Sequence, residues 1–183
     1  MTKGRIIAVV GPSGVGKDSL IRGITEASPY IKRVRRTVTR ASALGGEDYD
    51  AVSPMSFARQ VSEGAFCLHW QAHGLCYGIP VDVLADVENG TTVIANLSRS
   101  VLAEANQIFP DMTVLNITAS PATLAARLAQ RGRETQTDIT QRLRRAVNLP
   151  EGLKQIDIPN DGALSKTIAA ALTALNLNAE YAP

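Results

Sequence analysis

Apolar residues along this chain alternate between short unbroken runs and longer stretches with helical spacing. Residues 5–10 (RIIAVV) are a β-branched run that stops at glycine, which predicts a strand covered on both faces. Residues 18–27 then put Leu20, Ile21 and Ile24 on one side of a predicted helix. The alternation resumes with a predicted strand at 91–97 (TTVIANL), a helix at 100–108 and a buried-type strand at 112–118. The following helix is punctuated by Ser120 as N-cap, Pro121 at its first position and Gly132 beyond its end. A strand at 154–158 and a helix at 163–175 complete the series.

Strands separated by helices predict an α/β fold, a parallel sheet flanked by helices with right-handed crossovers. Residues 33–88 break that rhythm. Extended runs at 33–39, 49–53 and 66–70 lie among turn residues, with one short helix capped by Ser53-Pro54 and stopped at Gly64. This predicts a small inserted subdomain with antiparallel strands, within a single globular unit.

Composition narrows the picture by exclusion. With 183 residues, 45% apolar and 20% charged, the chain can bury a core without staples, and disorder or fibrous repeats are excluded. Cys67 and Cys76 read as reduced thiols. The apolar run behind Lys3 and Arg5 is too short for a signal segment or a membrane span, so a cytoplasmic protein with no membrane partner is expected. A net charge of +2 and 4% aromatics do not favour a nucleic-acid partner.

The informative chemistry begins where the first strand ends, at Gly11-Pro12-Ser13-Gly14-Val15-Gly16-Lys17-Asp18-Ser19. Gly11, Gly16 and Lys17 satisfy G-x-x-x-x-G-K in the strand–loop–helix setting which that motif needs. Glycines let backbone N–H groups converge on a polyphosphate, the helix N-terminus adds partial positive charge, and Lys17 reaches the outer phosphates. The Asn/Thr-Lys-x-Asp run that selects guanine in GTPases is absent, so ATP is the expected donor.

Position 18 departs from the motif. A Ser or Thr hydroxyl should sit there on Mg²⁺, and Ser19 cannot replace it because one helical step turns a side chain by about 100°. A carboxylate is a suitable hard-oxygen ligand, so Asp18 is a candidate for the magnesium site, directly or through water. The competing reading is an acidic residue favoured by the helix dipole.

GPSGVGKDSL, TVTR, GGEDYDAVS, FCLHW, HGLCYG, SPATLAARLAQRG and DITQRL follow one another in an order and spacing that resemble guanylate kinases over nearly the whole chain. The resemblance implies a P-loop kinase with a core of 1–32, 89–124 and 148–183, a small mixed acceptor-binding insertion at 33–88 and a helical lid at 125–147. It implies acceptor contacts for Arg40, Tyr49 and Tyr77, transition-state clamps at Arg131 and Arg142 with Arg133 behind them, and a nucleotide-side role for Asn160. Arg127, Arg144 and Arg145 read instead as surface or ion-paired residues.

Several positions depart from that family pattern. Where guanylate kinases read guanine, this chain has His69 and Arg36; a second phosphate-binding arginine aligns with Ala43, a serine with Ile79, and two strand-end aspartates with Asn96 and Ser98. A phosphate-gripping pocket survives in Arg40, Tyr49, Tyr77, Gly78 and the lid arginines, while the groups that hydrogen-bond a purine edge are lost, which lowers guanine selectivity. The variant pattern (GKDS, RRTVTR, GGEDY, HWxAHGLxYGIP) is similar to that of the ribose 1,5-bisphosphate phosphokinases, which make 5-phosphoribosyl 1-diphosphate from ATP. A phosphorylated sugar is therefore the expected acceptor. A nucleoside-monophosphate kinase with altered base choice and a non-catalytic interaction module stay open, and so does a homodimer.

Residues 32–40 carry five cations in nine positions. On one strand, Arg36 and Arg40 share a face and are candidates to grip a bisphosphate, while Arg33 and Arg35 point the other way into solvent. His73 is a candidate contact for a substrate hydroxyl or phosphate, and His69 for a packed pocket wall. The two histidines do not converge on a metal.

Overall fold

The protein begins its sheet with a strand, β1 (Ile6–Val10), that is buried along its whole length. The structure, a computed structural model, describes residues 4–40, 48–131 and 149–177. After β1 come α1 (Lys17–Ala27), β2 (Lys32–Arg33), β3 (Arg36–Val38), β4 (Tyr49–Ala51), α2 (Pro54–Ser62), β5 (Phe66–Ala72) and β6 (Leu75–Pro80). Next are α3 (Asp82–Glu88), β7 (Val93–Asn96), a 3-10 turn (Arg99–Val101), α4 (Leu102–Ile108), β8 (Met112–Thr118) and α5 (Pro121–Arg131). β9 (Lys154–Pro159) and α6 (Leu164–Ala174) end the series.

The main sheet has the order β2-β7-β1-β8-β9, and every neighbouring pair is parallel. Alternate residues of β1 serve its two faces. Ile7 and Val9 join Leu20, Ile21 and Ile24 of α1 and Ala171 of α6, whereas Ile6, Ala8 and Val10 join Leu68, Trp70 and Ile79 of the small sheet. Each fully buried Ile or Leu here contributes roughly 1.5–3 kcal/mol relative to exposure. From β1 the chain first builds toward β2 and then crosses to β8 on the other side. That reversal opens a crevice beyond the carboxyl ends of β1 and β8, where open α/β sheets bind ligands.

The second sheet has the order β4-β3-β6-β5. β3 pairs with β6 and β5 with β6 in antiparallel fashion, but β3 and β4 run parallel, so this sheet is mixed. The run expected at 33–39 divides between the two sheets. Lys32 and Arg33 pair with β7, the Val34 N–H still donates to the Ile94 carbonyl at 2.9 Å, and the small sheet starts at Arg36.

Two elements were not anticipated from the sequence. β6 carries Gly78 and Pro80, which weaken a strand signal, yet it is fixed by a two-residue turn with β5. That turn is His73-Gly74, with φ of 53° and 72°, the left-handed pair that matches strand twist. α3 is only seven residues long and is held by burying Val83 in the core. Of the lid expected at 125–147, residues 125–131 belong to α5 and the rest lies outside the described residues. Among the described residues no helix is long and apolar enough to cross a membrane.

Candidate active site

The loop Gly11–Gly16 joins the carboxyl end of β1 to the first turn of α1. Gly16 is the N-cap at φ 98°, and a Cβ there would meet Asn160 Nδ2 at 2.8 Å. Gly11 is required by close approach, since a Cβ would stand 2.5 Å from the Ile117 carbonyl oxygen. Val15 is fully buried and anchors the loop, and its carbonyl accepts from Asn160 Nδ2 at 2.7 Å and from Arg127 Nη1 at 3.3 Å. Lys17 Nζ donates to the Gly11 and Pro12 carbonyls at 2.9 and 3.1 Å, which folds its ammonium across the loop mouth. Pro12, Ser13 and Gly14 complete the loop and Ser19 lies in the first turn of α1, so the segment meets a helix N-terminus, suited to an anion.

Asp18 lies in the first turn of α1, and its Oδ1 accepts from Asn96 Nδ2 at 2.9 Å. Asn96 is the last residue of β7 and pairs with Val9, so the carboxylate is pinned beside the carboxyl end of β1. Among the described residues no group of three His, Cys, Asp or Glu side chains converges on a metal. A single oriented carboxylate next to a phosphate loop suits Mg²⁺, which usually keeps several waters and takes its other ligands from substrate phosphates.

Asn160 is buried. Besides its bond to Val15, its Oδ1 accepts from Thr167 Oγ1 at 2.8 Å and its N–H donates to the Thr118 carbonyl at 2.7 Å. It braces the phosphate loop through Val15, next to the site where the resemblance implies the nucleotide. Arg127, read from the sequence as a surface or ion-paired residue, is half-buried and bonded to the Val15 carbonyl of that loop. Next to it, Asp161 is held below the usual carboxylate range, mainly by the Ser120 N–H and then by the Thr123 and Ser120 hydroxyls.

The acceptor candidates gather on the inner face of the small sheet. Register places Arg36 beside Tyr49, Val38 beside Tyr77, and Tyr77 beside Trp70. Trp70 and Tyr77 stack with ring centroids 5.3 Å apart. The Arg36 guanidinium lies 5.0 Å from the Tyr77 centroid and 5.8 Å from that of Trp70, and Arg36 is only 6% exposed. Tyr49 is buried and Arg40 half-buried, just beyond the end of β3. Arg35, on the opposite face, is exposed and ion-paired with Asp48 and Asp50 at 3.1 and 2.7 Å.

His73 sits exposed at the tip of the β5–β6 turn. His69 is exposed too, which corrects its reading as a packed wall: it alternates with the inward-facing Leu68 and Trp70. The backbone of Arg131 ends α5, whereas the side chain of Arg131 and all of Ala43, Arg133, Arg142, Arg144 and Arg145 lie outside the described residues. Arg127 was missed because helical spacing locates it on α5 but not the surface that α5 meets.

Comparison with known proteins agrees with this fold. The guanylate kinase family profile matches residues 3–165. A protein of Ruegeria sp. (strain TM1040) named ribose 1,5-bisphosphate phosphokinase PhnN is 52% identical over 171 residues, 92% of this chain and 90% of that protein. Its namesake in Brucella melitensis biotype 2 (strain ATCC 23457) is 41% identical over 174 residues, 93% and 91% of the two chains. The crystal structure of guanylate kinase from Anaplasma phagocytophilum superposes with a TM-score of 0.73 at 20% identity, covering 96% of this chain and 86% of that one, and so shares the fold. The chain belongs to the guanylate kinase family, in the group of the ribose 1,5-bisphosphate phosphokinases.

Proposed function

We propose that this kinase transfers the γ-phosphoryl group of ATP to the anomeric phosphate of ribose 1,5-bisphosphate, giving 5-phosphoribosyl 1-diphosphate and ADP. The observation that carries this reading is Arg36, a buried cation stacked on Tyr77 and Trp70 in the acceptor sheet. It stands where its guanylate-kinase relatives read a purine. A guanidinium presents donors in a fork that matches a phosphate, and it has no acceptor for the N1–H and 2-amino donors of guanine. The names of the relatives point the same way.

The chemistry asks for alignment more than for acid or base. An oxygen of the acceptor phosphate, already anionic at neutral pH, forms a bond to the γ-phosphorus while the bond to the β-bridging oxygen breaks and ADP leaves. The loop Gly11–Gly16 cradles the donor phosphates through its N–H groups, and Lys17 turns from the Gly11 and Pro12 carbonyls onto the outer phosphates. Asp18 would hold Mg²⁺, which neutralises charge between the phosphates when bound. Arg36, Arg40, Tyr49, Tyr77 and His73 bind the acceptor, and Arg131 and Arg142 clamp the charge developing in flight.

The test is ADP release, with product identification, on ribose 1,5-bisphosphate against a panel of nucleoside monophosphates. The expected result is a kcat/KM for ribose 1,5-bisphosphate far above any other. GMP as the best acceptor by a wide margin would overturn the proposal.

A further inference from the structure

Arg99 has no part in the site described so far, and its surroundings are unusual for a structural arginine. It opens the 3-10 turn that follows β7, three residues past Asn96. Its Nη2 donates to Asn116 Oδ1 at 3.4 Å, a long bond, and its Nε is buried with no hydrogen-bond partner. Among the described residues no carboxylate forms an ion pair with it. Burial lowers its pKa from the ordinary arginine value, as expected for a cation short of compensation. Native proteins rarely leave such a group unpaired without a reason.

Its position supplies one. Asn116 is the register partner of Val10, the residue just before Gly11. β7 and β8 flank β1 on opposite sides, so the Arg99 side chain crosses the carboxyl end of β1 at the reversal of the sheet. Val10 and Val114 belong to the core that faces the small sheet, and Asn116 follows Val114 by two residues on the same face of β8. Asp18 and Asn96 occupy the other face, since Asn96 pairs with Val9, which packs toward α1. Arg99 thus stands on the acceptor side of the loop mouth. The Asn116 amide is itself aimed, because its Nδ2 donates to Asp157 Oδ1 at 2.7 Å and its oxygen is left toward Arg99.

We propose that Arg99 is a further acceptor-binding cation beside Arg36 and Arg40, contacting the phosphate of the sugar that receives the transferred group, with Asn116 and Asp157 aiming its guanidinium. It rests on the acceptor being a bisphosphate: Arg36 and Arg40, on the side of the small sheet, and Arg99, on the side of the main sheet, then serve separate phosphates.

The experiment measures steady-state kinetics with ribose 1,5-bisphosphate, affinity for a non-hydrolysable ATP analogue, and Tm, for the parent, R99Q and R99K. Expected for R99Q is a loss of about 10- to 100-fold in acceptor kcat/KM, the scale of a hydrogen bond to a charged group, with donor affinity within twofold of the parent. Tm should stay near that of the parent, because the Nε–H it removes has no partner and the bond to Asn116 that goes with it is a long one at 3.4 Å. R99K, keeping charge without the fork, should fall between the two. Should R99Q fail to fold, R99K carries the test through its acceptor KM. Unchanged acceptor kinetics, or a loss confined to donor affinity or to Tm, would overturn the role. A parent that ignores ribose 1,5-bisphosphate and phosphorylates a nucleoside monophosphate defeats the proposed function instead. R99Q assayed with that acceptor then decides Arg99, and an effect below twofold rejects it.

Discussion

The Asn96 amide donates to the Asp18 carboxylate at 2.9 Å, joining the first turn of α1 to the end of β7 beside the phosphate loop. The guanylate kinase pattern has the reverse chemistry there, a hydroxyl on the helix and a carboxylate on the strand. The negative charge has moved from one side of the contact to the other, and the amide left behind fixes its orientation.

That exchange predicts a rescue. D18S should raise the magnesium concentration needed for half-maximal rate by about tenfold, the effect of losing one charged ligand contact. The double variant D18S/N96D restores the arrangement of the relatives and should recover much of the loss. Magnesium titrations of the rate check both, and an unaltered D18S titration and rate rule out a metal role for Asp18.

Lys17 donates to the Gly11 and Pro12 carbonyls at a part-buried loop mouth, where water replaces its ammonium in K17A, and the variant withdraws the cation proposed for the transferring phosphates. A fall in kcat of about 10²–10³ is expected, with Tm nearly unchanged. Thermal melts beside single-turnover rates distinguish this from unfolding.

For N160A the balance is the other way. Two buried side-chain hydrogen bonds disappear, the Thr167 hydroxyl is orphaned, and Arg127 alone remains on the Val15 carbonyl. Stability should fall by about 1–3 kcal/mol, and donor KM should rise as the loop loosens, with acceptor KM nearly constant. Denaturant unfolding and two-substrate kinetics read the two effects separately.

Burial pushes the Cys67 thiol from 9.0 up to about 11. The folded state therefore keeps its proton where the unfolded chain has lost it, so this stabilisation is full below pH 9 and fades as pH rises toward about 11. At pH 8 its thiolate fraction, and with it iodoacetamide labelling, should be on the order of a hundredfold lower than for an unfolded cysteine. Mass spectrometry of the labelled peptides, native against denatured, measures the ratio.

Patterns that depend on near neighbours were legible in the sequence. The apolar run into Gly11, the phosphate loop, and the Ser120-Pro121 start of α5 all encode their structure locally, and each stands where expected. Residues 33–39 were harder, because nothing in an extended run says that its first half pairs with β7 and its second with β6. The roles of Asn160, Arg127 and Arg99 depend on partners 145, 112 and 17 positions away, and spacing along one element carries no trace of such partners.

Trp70 is the sole tryptophan of the chain, and it shares a stack with Tyr77 and the Arg36 guanidinium. An indole beside a cation emits according to how far that cation is neutralised. The protein thus carries a built-in optical reporter for the proposed acceptor pocket, and filling that pocket should register as a change in intrinsic emission before any turnover occurs.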